Sequence, residues 1–382
     1  MYSLIHLSGR QLLPNVLANL AFSRAGLLER AVVLHSDNER ESLAPARRLF
    51  GLLGLGRSEN EQVHCLRIEV EETPQSVTEE VLALFEEFPQ ARWVLHATGG
   101  NKMMSAALVM LARHPRVAAV AYRDIVHGWR SVALESEGAM PVERPVTPSH
   151  PHLGCLEAPD LGLDALPLEK LIRAQFSAGD AIARFVAEPA PPDCDAPAWL
   201  ADVARHPRAR FASSEHWRGA ARNEGHAFEC WLALLLRAGG ASQVLWNCVG
   251  YSPQGHPVIE TDVMAIHRNR IAIYDLKLEQ PRASGKTEQI RGVRNTADKL
   301  GGLSAAAVLV RPNWPATGHL ERFADALGVE LINRGNVDRL VPLVCAPLGL
   351  PTGAGAARAL READQLMARL AHDRGEVIFA HE

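Results

Sequence analysis

Two aspartates and a lysine interrupt adjacent apolar runs in the second half of the chain, in the stretch IETDVMAIHRNRIAIYDLKLE. Asp262 lies in the first run, and Asp275 and Lys277 lie in the second. Residues i and i+2 of a strand point to the same face, so Asp275 and Lys277 are expected to project together. A hairpin around His267–Arg270 would bring Asp262 alongside Asp275. The pattern therefore predicts two carboxylates and an ammonium in one small site.

This set of groups suits the hydrolysis of phosphodiesters. Carboxylates bind Mg²⁺ or Mn²⁺ through hard oxygen ligands, and the metal neutralises charge that develops on the phosphate. A lysine can position or help to deprotonate the attacking water. Glu229, on the helix predicted just upstream, is expected to be a third carboxylate, with Glu260 as a substitute ligand. Most D-x-K sequences are surface ion pairs, but these acids stand in apolar strands, where burying an ionic group is costly.

Basic residues surround these acids. Gln289, Arg291 and Arg294, early in the next predicted helix, are the expected substrate contacts. They could follow a phosphate backbone, although a solvated helix face accounts equally well for any single one. The wider basic set is Arg268, Arg270, Arg282, Lys286 and Lys299.

A second constellation lies in the first half, in WVLHATGGNKMM. A strand ends near Ala97, a glycine-containing loop follows, and a helix begins at Lys102. Glycines allow close approach to a ligand, and the N–H groups of a helix N-terminus attract anions. The loops after the first two strands are expected at the same sheet edge, where open α/β sheets bind ligands. The predicted ligand-binding residues are Ser8, Gly9, Arg10, Gln11, Asn15, His35, Ser36, Thr98, Gly99, Gly100, Asn101, Lys102 and Met103.

The elements that carry this loop alternate regularly. The pattern predicts strands at 3–7, 31–35, 65–69, 93–97 and 117–122, and helices at 14–24, 43–53, 77–88 and 102–113. This alternation predicts a parallel sheet with helices on both faces, followed by a further strand at 130–134. Ser76 and Glu79 have the spacing of a capping box at the start of the third helix.

The second half has a different order. A helix at 223–237 precedes strands at 243–249, 258–266 and 270–278, then a helix at 287–300 and a strand at 305–310, which predicts an α/β/α core. Proline-rich stretches at 141–165 and 187–198 suggest connectors. We therefore expect a sensor domain over 1–145, a bridging segment over 146–212 and a catalytic domain over 213–382, ending in an amphipathic packing helix.

Composition bounds the remaining possibilities. The net charge is −4 with 22% charged residues, which neither indicates nor excludes a nucleic-acid partner. The six cysteines are scattered and are expected to be reduced thiols. There is no signal-peptide pattern and no run near the ~20 apolar residues of a membrane span, so a cytoplasmic protein is expected.

The two constellations resemble known families. Glu229, Asp262 and Asp275-Leu276-Lys277 resemble the PD-(D/E)xK nuclease superfamily, with aspartate at 275 where glutamate is more common. The TGGNKMM loop in this strand order is similar to that of CARF (CRISPR-associated Rossmann fold) effectors. Together they resemble the CARF–PD-(D/E)xK nucleases of type III CRISPR defence.

This resemblance implies roles for particular residues and partners. Asp262, Asp275 and Glu229 would be ligands of Mn²⁺ or Mg²⁺, and Lys277 the catalytic lysine. It also implies activation by a cyclic oligoadenylate, with cyclic tetra-adenylate (cA4) as the favoured ring, and a homodimer. A homodimer suits such a ligand, because a twofold-symmetric ring can sit on a twofold axis. The substrate would be DNA, with RNA left open.

Three alternatives stay open at this point. One is a ligand-binding regulator that binds nucleic acid without cutting it, although such a protein would be expected to have lost Asp275 or Lys277. Another is a ring nuclease that degrades the cyclic nucleotide with His35, Ser8 and Lys102. The third is a restriction or repair nuclease whose first half is merely structural.

Overall fold

A computed structural model describes residues 1–53, 64–124, 127–134, 140–175, 182, 184–189, 222–277, 285–302, 305–312 and 314–351. The chain divides into two compact units, Met1–Ala181 and Ile182–Glu382. The amphipathic helix predicted near the C-terminus lies outside the described residues. No helix in the described part is long and apolar enough to cross a membrane. Cys65, Cys155, Cys248 and Cys345 form no disulfide.

The first unit is built on a seven-stranded sheet in the order β3-β2-β1-β4-β5-β6-β7. The first five strands of this order are parallel, as predicted, and the last two are antiparallel. The strand order reverses between β1 and β4, which is where open sheets of this kind form a crevice. The strands are β1 (Tyr2–Leu7), β2 (Leu28–His35), β3 (His64–Glu69), β4 (Trp93–His96), β5 (Val117–Asp124), β6 (Gly128–Ala133) and β7 (Val142–Pro145).

Helices cover this sheet. α3 and α4 pack on a core that includes Ile5, Val32 and Leu95, while α1 and α2 contact each other and the strands β1 and β2. This burial of the strands explains why they read as continuous apolar runs rather than alternating ones. The helices are α1 (Leu13–Arg24), α2 (Ala44–Leu53), α3 (Pro74–Glu87), α4 (Lys102–Met110) and α5 (Leu168–Gln175).

The capping box predicted at Ser76 and Glu79 is wrong. α3 begins at Pro74, and the Thr73 side chain accepts the Ser76 N–H at 3.2 Å. Ser76 Oγ accepts the Glu71 N–H instead, at 3.0 Å. Proline lacks the N–H that the first turn would leave unsatisfied, and its fixed φ suits a helix start, so the helix begins there.

Parts of the segment expected to bridge the domains belong to the domains themselves. Residues 140–175 lie in the first unit, where β7 pairs with β6 and the side chains of Leu153, Leu156 and Leu163 are buried. The strand β8 (Arg184–Pro189) lies in the second unit and pairs with the strand β9 (Gln243–Tyr251). The prolines resemble those of a connector, but the leucines between them supply apolar surface that is removed from water.

The second unit contains a six-stranded sheet in the order β13-β12-β11-β10-β9-β8. One face packs on α6 and α9 through residues such as Trp231, Tyr274 and Val344. α7 lies on the other face, where a Cβ at Gly301 would be 3.2 Å from Ile271. The elements are α6 (Arg222–Ala238), β9 (Gln243–Tyr251), β10 (Pro257–His267), β11 (Arg270–Leu276), α7 (Lys286–Gly301), β12 (Ala306–Val310), α8 (His319–Ala326), β13 (Val329–Ile332) and α9 (Leu340–Cys345).

Candidate functional site

The hairpin of β10 and β11 brings the two aspartates together. Its register runs from His267 opposite Arg270 to Val263 opposite Tyr274, which places Asp262 opposite Asp275. At this position a side chain links the two strands: the backbone N–H of Leu276 donates a hydrogen bond to Asp262 Oδ2 at 2.5 Å. Asp262 is thereby fixed against the backbone of the strand that carries Asp275.

Glu229, on α6, lies within electrostatic reach of both aspartates. Burial, followed by repulsion from Asp262 and Asp275, raises the pKa of Glu229 to about 9. Burial and repulsion from Asp275 raise the pKa of Asp262 to about 7, although the Leu276 N–H, Arg311 and Lys277 act in the opposite direction. Burial and the nearby carboxylates therefore favour the protonated, neutral form of Glu229 at neutral pH.

Sequence reasoning missed Arg311, which follows β12. Only 1% of its side chain is exposed, and its guanidinium is ion-paired with the Asp275 carboxylate. It also donates to the Asp275 carbonyl at 3.1 Å and to Gln289 Oε1 at 2.9 Å. The signal was present, because Arg311 ends an apolar run just as Asp275 does, and charged residues are rarely buried there without a partner.

Lys277 and the three predicted substrate contacts do not form one group. Lys277 directly follows β11 and its side chain is exposed. Its backbone N–H donates to the Val310 carbonyl at 3.1 Å. Gln289 is held by Arg311, and Arg294 donates from Nε to Asp298 on its own helix at 3.0 Å. Arg291 is exposed, with its guanidinium carbon 5.1 Å from the centre of the Phe323 ring. Arg282, of the wider basic set, lies outside the described residues.

The donor set suits a hard divalent cation by its chemistry, but the donors are not gathered around one point. Within the described residues, no three Asp, Glu, His or Cys side chains are close enough together to hold a metal ion. Two of the donors have partners within the protein: the Leu276 N–H donates to Asp262, and Arg311 is ion-paired with Asp275. Carboxylate oxygens are the ligands that Mg²⁺ prefers, and a dication would relieve the repulsion among these acids.

The loops after β1 and β4 meet backbone to backbone at the carboxyl edge of the first sheet. A Cβ on Gly9 would lie 2.8 Å from the Gly100 nitrogen, and one on Gly99 would lie 2.5 Å from the Leu7 carbonyl oxygen. Gly99 also has a φ of +98°, which side chains of L residues rarely allow. Glycine is therefore required here, and the loop presents bare backbone at the point where the strand order reverses.

The predicted ligand-binding residues separate into two layers. Ser8, Gly9, Asn15, His35 and Ser36 are buried beneath the edge. The upper layer is exposed or half-buried, and its members are Arg10, Gln11, Thr98, Gly99, Gly100, Asn101, Lys102 and Met103.

The buried layer supports the loops. Ser8 Oγ donates to the Ser42 carbonyl at 2.6 Å, and Asn15 Nδ2 donates to the Leu7 carbonyl at 2.8 Å. The His35 ring contacts the Ser36 carbonyl through Nδ1 at 3.0 Å. These groups bind the protein's own backbone, so they do not support a ring nuclease that uses Ser8 and His35.

Asn101 closes the N-terminus of α4. Its Oδ1 accepts the N–H groups of Met103 at 3.0 Å and Met104 at 2.9 Å. The expectation that the helix N–H groups are free for an anion is therefore wrong for these two. The positive end of the helix dipole and the exposed Lys102 ammonium still favour a negative charge at this edge.

Glu72 was not predicted, and it links two of the loops. It accepts hydrogen bonds from Ser36 Oγ at 2.6 Å and from Asn101 Nδ2 at 2.9 Å. With Asp37 and Glu69 it lines an acidic cleft of about 770 Å³. Because like charges repel, phosphates of a ligand are expected near Lys102 rather than in this cleft.

A histidine pair also went unnoticed in the sequence. His6 of β1 and His96 of β4 stand in register, with their Nδ1 atoms 3.3 Å apart, and both are buried. Burial lowers the pKa of His6 to about 4, and burial together with His6 and Arg123 lowers the pKa of His96 well below its ordinary value. Both rings are therefore neutral at neutral pH and belong to the floor of the crevice.

Solved structures share this architecture over nearly its whole length. Can2 from Sulfobacillus thermosulfidooxidans, solved in complex with cyclic tetra-adenylate, matches with a TM-score of 0.59 at 15% identity, over 90% of this chain and 99% of Can2. This chain has the fold of Can2. Protein VC1899 from Vibrio cholerae matches with a TM-score of 0.58 at 13% identity, over 89% of this chain and 96% of VC1899.

The likeness to Can2 confirms the predicted fold class, a Rossmann-like parallel-sheet domain followed by an α/β/α domain. The two-domain fold that the resemblance implied is thereby confirmed. No protein-family model and no curated protein matched the sequence.

Proposed function

We propose that this protein is a divalent-metal-dependent endonuclease that is activated by a cyclic oligoadenylate bound to its first domain. The observation that carries the nuclease half is the pairing of Asp262 with Asp275 across one hairpin, with Glu229 and Lys277 in electrostatic reach. Buried carboxyl groups whose pKa values are raised by burial and by one another are typical of a functional site rather than of a structural core.

Asp262, Asp275 and Glu229 would hold the metal ion, Mn²⁺ or Mg²⁺. When bound, the ion would neutralise charge that develops on the phosphate during hydrolysis. The exposed Lys277 follows Asp275 on the same face of the strand and would orient the attacking water or the phosphate. Arg291, exposed on α7, would attract the backbone of a nucleic-acid substrate, DNA in the first instance and RNA as the alternative.

The sensor half of the proposal is supported by the first sheet. Gly99 and Gly100 leave bare backbone at the strand-order reversal, beside the exposed cations Lys102 and Arg10. Can2, which has this fold, was solved with cyclic tetra-adenylate, and we propose cA4 as the activator here.

A homodimer completes the proposal. α4 exposes an apolar stripe, Met103, Ala106 and Met110, at the spacing of one helix face, directly after the glycine loop. Pairing two copies through this stripe would place two Lys102 side chains around one twofold-symmetric ring.

The test is cleavage of supercoiled plasmid, labelled single-stranded DNA and labelled RNA in Mn²⁺ or Mg²⁺, with and without cyclic tetra- and hexa-adenylate. Lys277→Gln should abolish cleavage yet leave ring binding intact. Lys102→Gln should weaken ring binding and raise the ring concentration needed for cleavage. Lys170→Gln removes an exposed lysine of α5 as the matched control and should change neither property.

Two results would contradict the proposal in different ways. Cleavage that never depends on a ring would remove the sensor and leave a nuclease with a structural first half. Tight ring binding with no cleavage of any substrate would indicate a regulator that binds nucleic acid without cutting it. Loss of the ring itself during incubation, measured by chromatography, would reveal a ring nuclease.

A further inference from the structure

The carboxylate of Asp275, on which the proposed metal site depends, is already engaged by a cation of the protein. The Arg311 guanidinium is ion-paired with it, and the arginine side chain is almost fully buried. Among the described residues, Asp275 is the acid with which Arg311 is paired. The pair is therefore built into the fold rather than formed at the surface.

Arg311 is held by more than the Asp275 carboxylate, because its other nitrogens also donate hydrogen bonds. Nε donates to Gln289 Oε1 at 2.9 Å, and one terminal nitrogen donates to the carbonyls of Val310 at 2.9 Å and Asp275 at 3.1 Å. These acceptors come from β11, the end of β12 and α7. These hydrogen bonds fix the positive charge beside Asp275.

We propose that Arg311 is a positioning residue of the nuclease site that sets its metal affinity. It holds Asp275 in place in the metal-free protein and weakens the binding of a divalent ion at that carboxylate. This inference rests on the proposed function. Like charges repel strongly at a few ångströms inside a protein, so removal of the guanidinium charge should tighten metal binding at least about tenfold.

The experiment measures Mn²⁺ binding rather than cleavage. Free Mn²⁺ is quantified by electron paramagnetic resonance in titrations of the full-length protein, and melting temperatures are recorded over the same Mn²⁺ range. The variants are Arg311→Met, which removes the charge, and Arg311→Lys, which keeps a charge but loses the planar set of donors. Arg237→Met is the matched control, because Arg237 is exposed on α6 and lies about 12 Å along the helix from Glu229.

Arg311→Met should lower the melting temperature without Mn²⁺ yet bind Mn²⁺ at least about tenfold more tightly than the wild type, with Arg237→Met unchanged. An arginine with only a structural role would lower the melting temperature without tightening the binding, and that result would overturn the inference. Arg311→Lys, which keeps the charge, should bind Mn²⁺ about as the wild type does. If Arg311→Met does not fold, Arg311→Gln, which also removes the charge, decides, and a glutamine variant that binds Mn²⁺ no more tightly than the wild type overturns the inference.

The same titration separates this inference from the proposed function. Equal Mn²⁺ affinity in all variants, with cleavage intact in the wild type, would remove the role of Arg311 and leave the nuclease. No Mn²⁺ binding in any variant would overturn both. Binding that appears only after Arg311 is replaced would support the inference directly.

Discussion

Replacing Glu229 with glutamine should stabilise the metal-free protein at neutral pH. The pKa of this carboxyl is raised from 4.5 to about 9 by burial and by Asp262 and Asp275. In the unfolded chain the group ionises near pH 4.5, whereas in the fold it stays protonated until about pH 9. The resulting penalty on folding is absent below pH 4, begins as pH rises through the unfolded-state pKa and is complete only above the folded-state pKa.

The size of the effect follows from the shift. At pH 7 the carboxyl lies two to three pH units above its unfolded pKa, which corresponds to about 3 kcal/mol at 1.4 kcal/mol per unit. Solvent contact at the partly exposed side chain reduces this to about 1–2 kcal/mol. The neutral amide of Glu229→Gln avoids the penalty, so the variant should gain that amount at pH 7 and nothing at pH 4.

The assay is urea unfolding in EDTA at pH 4, 5, 6, 7 and 8, followed by tryptophan fluorescence. Glu288→Gln is the control, because Glu288 is exposed in the first turn of α7 and its replacement should cost less than about 0.5 kcal/mol. A gain for Glu229→Gln that does not vary with pH, or a loss at pH 7, would refute the account of these acids as a mutually repelling group.

Three further outcomes are expected elsewhere in the molecule. Gly99→Ala should weaken cyclic oligoadenylate binding, measured by calorimetry, at least about tenfold and should cost about 2–3 kcal/mol of stability. Gly128→Ala is the control, because Gly128 also has a positive φ but has open space around it. It should cost about 1 kcal/mol of stability and leave binding unchanged. The neutral histidines predict acid sensitivity of the first domain: their stability contribution is complete above pH 6.5 and is lost as pH falls toward the folded pKa of His6, about 4. Hydrogen exchange of peptides from β1 and β4 should show that the free energy of protection falls by about 1–2 kcal/mol per histidine between pH 6.5 and 5. His96→Leu should make this pH dependence less steep. An equally steep pH dependence in His96→Leu would contradict the assignment of the acid sensitivity to the histidines. Thr73→Ala should lower the melting temperature by removing about 1 kcal/mol of helix capping, while an equal loss from Glu79→Ala would restore the capping-box interpretation.

Elements with a strong local signal were predictable. The five parallel strands and α4 were found from apolar runs and from the glycine loop, because backbone periodicity depends on neighbouring residues. The start of α3 was misplaced since two capping patterns overlap at Thr73 and Ser76, and Pro74 decides between them. The leucines of residues 153–163 were read as part of a connector because their burial depends on α1, which lies far away in the chain.

The sequence by itself determined the chemistry that each half can offer: acids and a lysine on one hairpin, and a glycine loop that opens a helix. It could do so because the residues of each motif are close in the chain, where strand alternation and hairpin register follow from backbone geometry. Only the tertiary structure decided that Arg311 holds Asp275, that Glu72 joins Ser36 to Asn101, and that His6 meets His96. These partners are 29 to 90 positions apart, so their meeting depends on how whole elements pack, and no local pattern in the sequence encodes it.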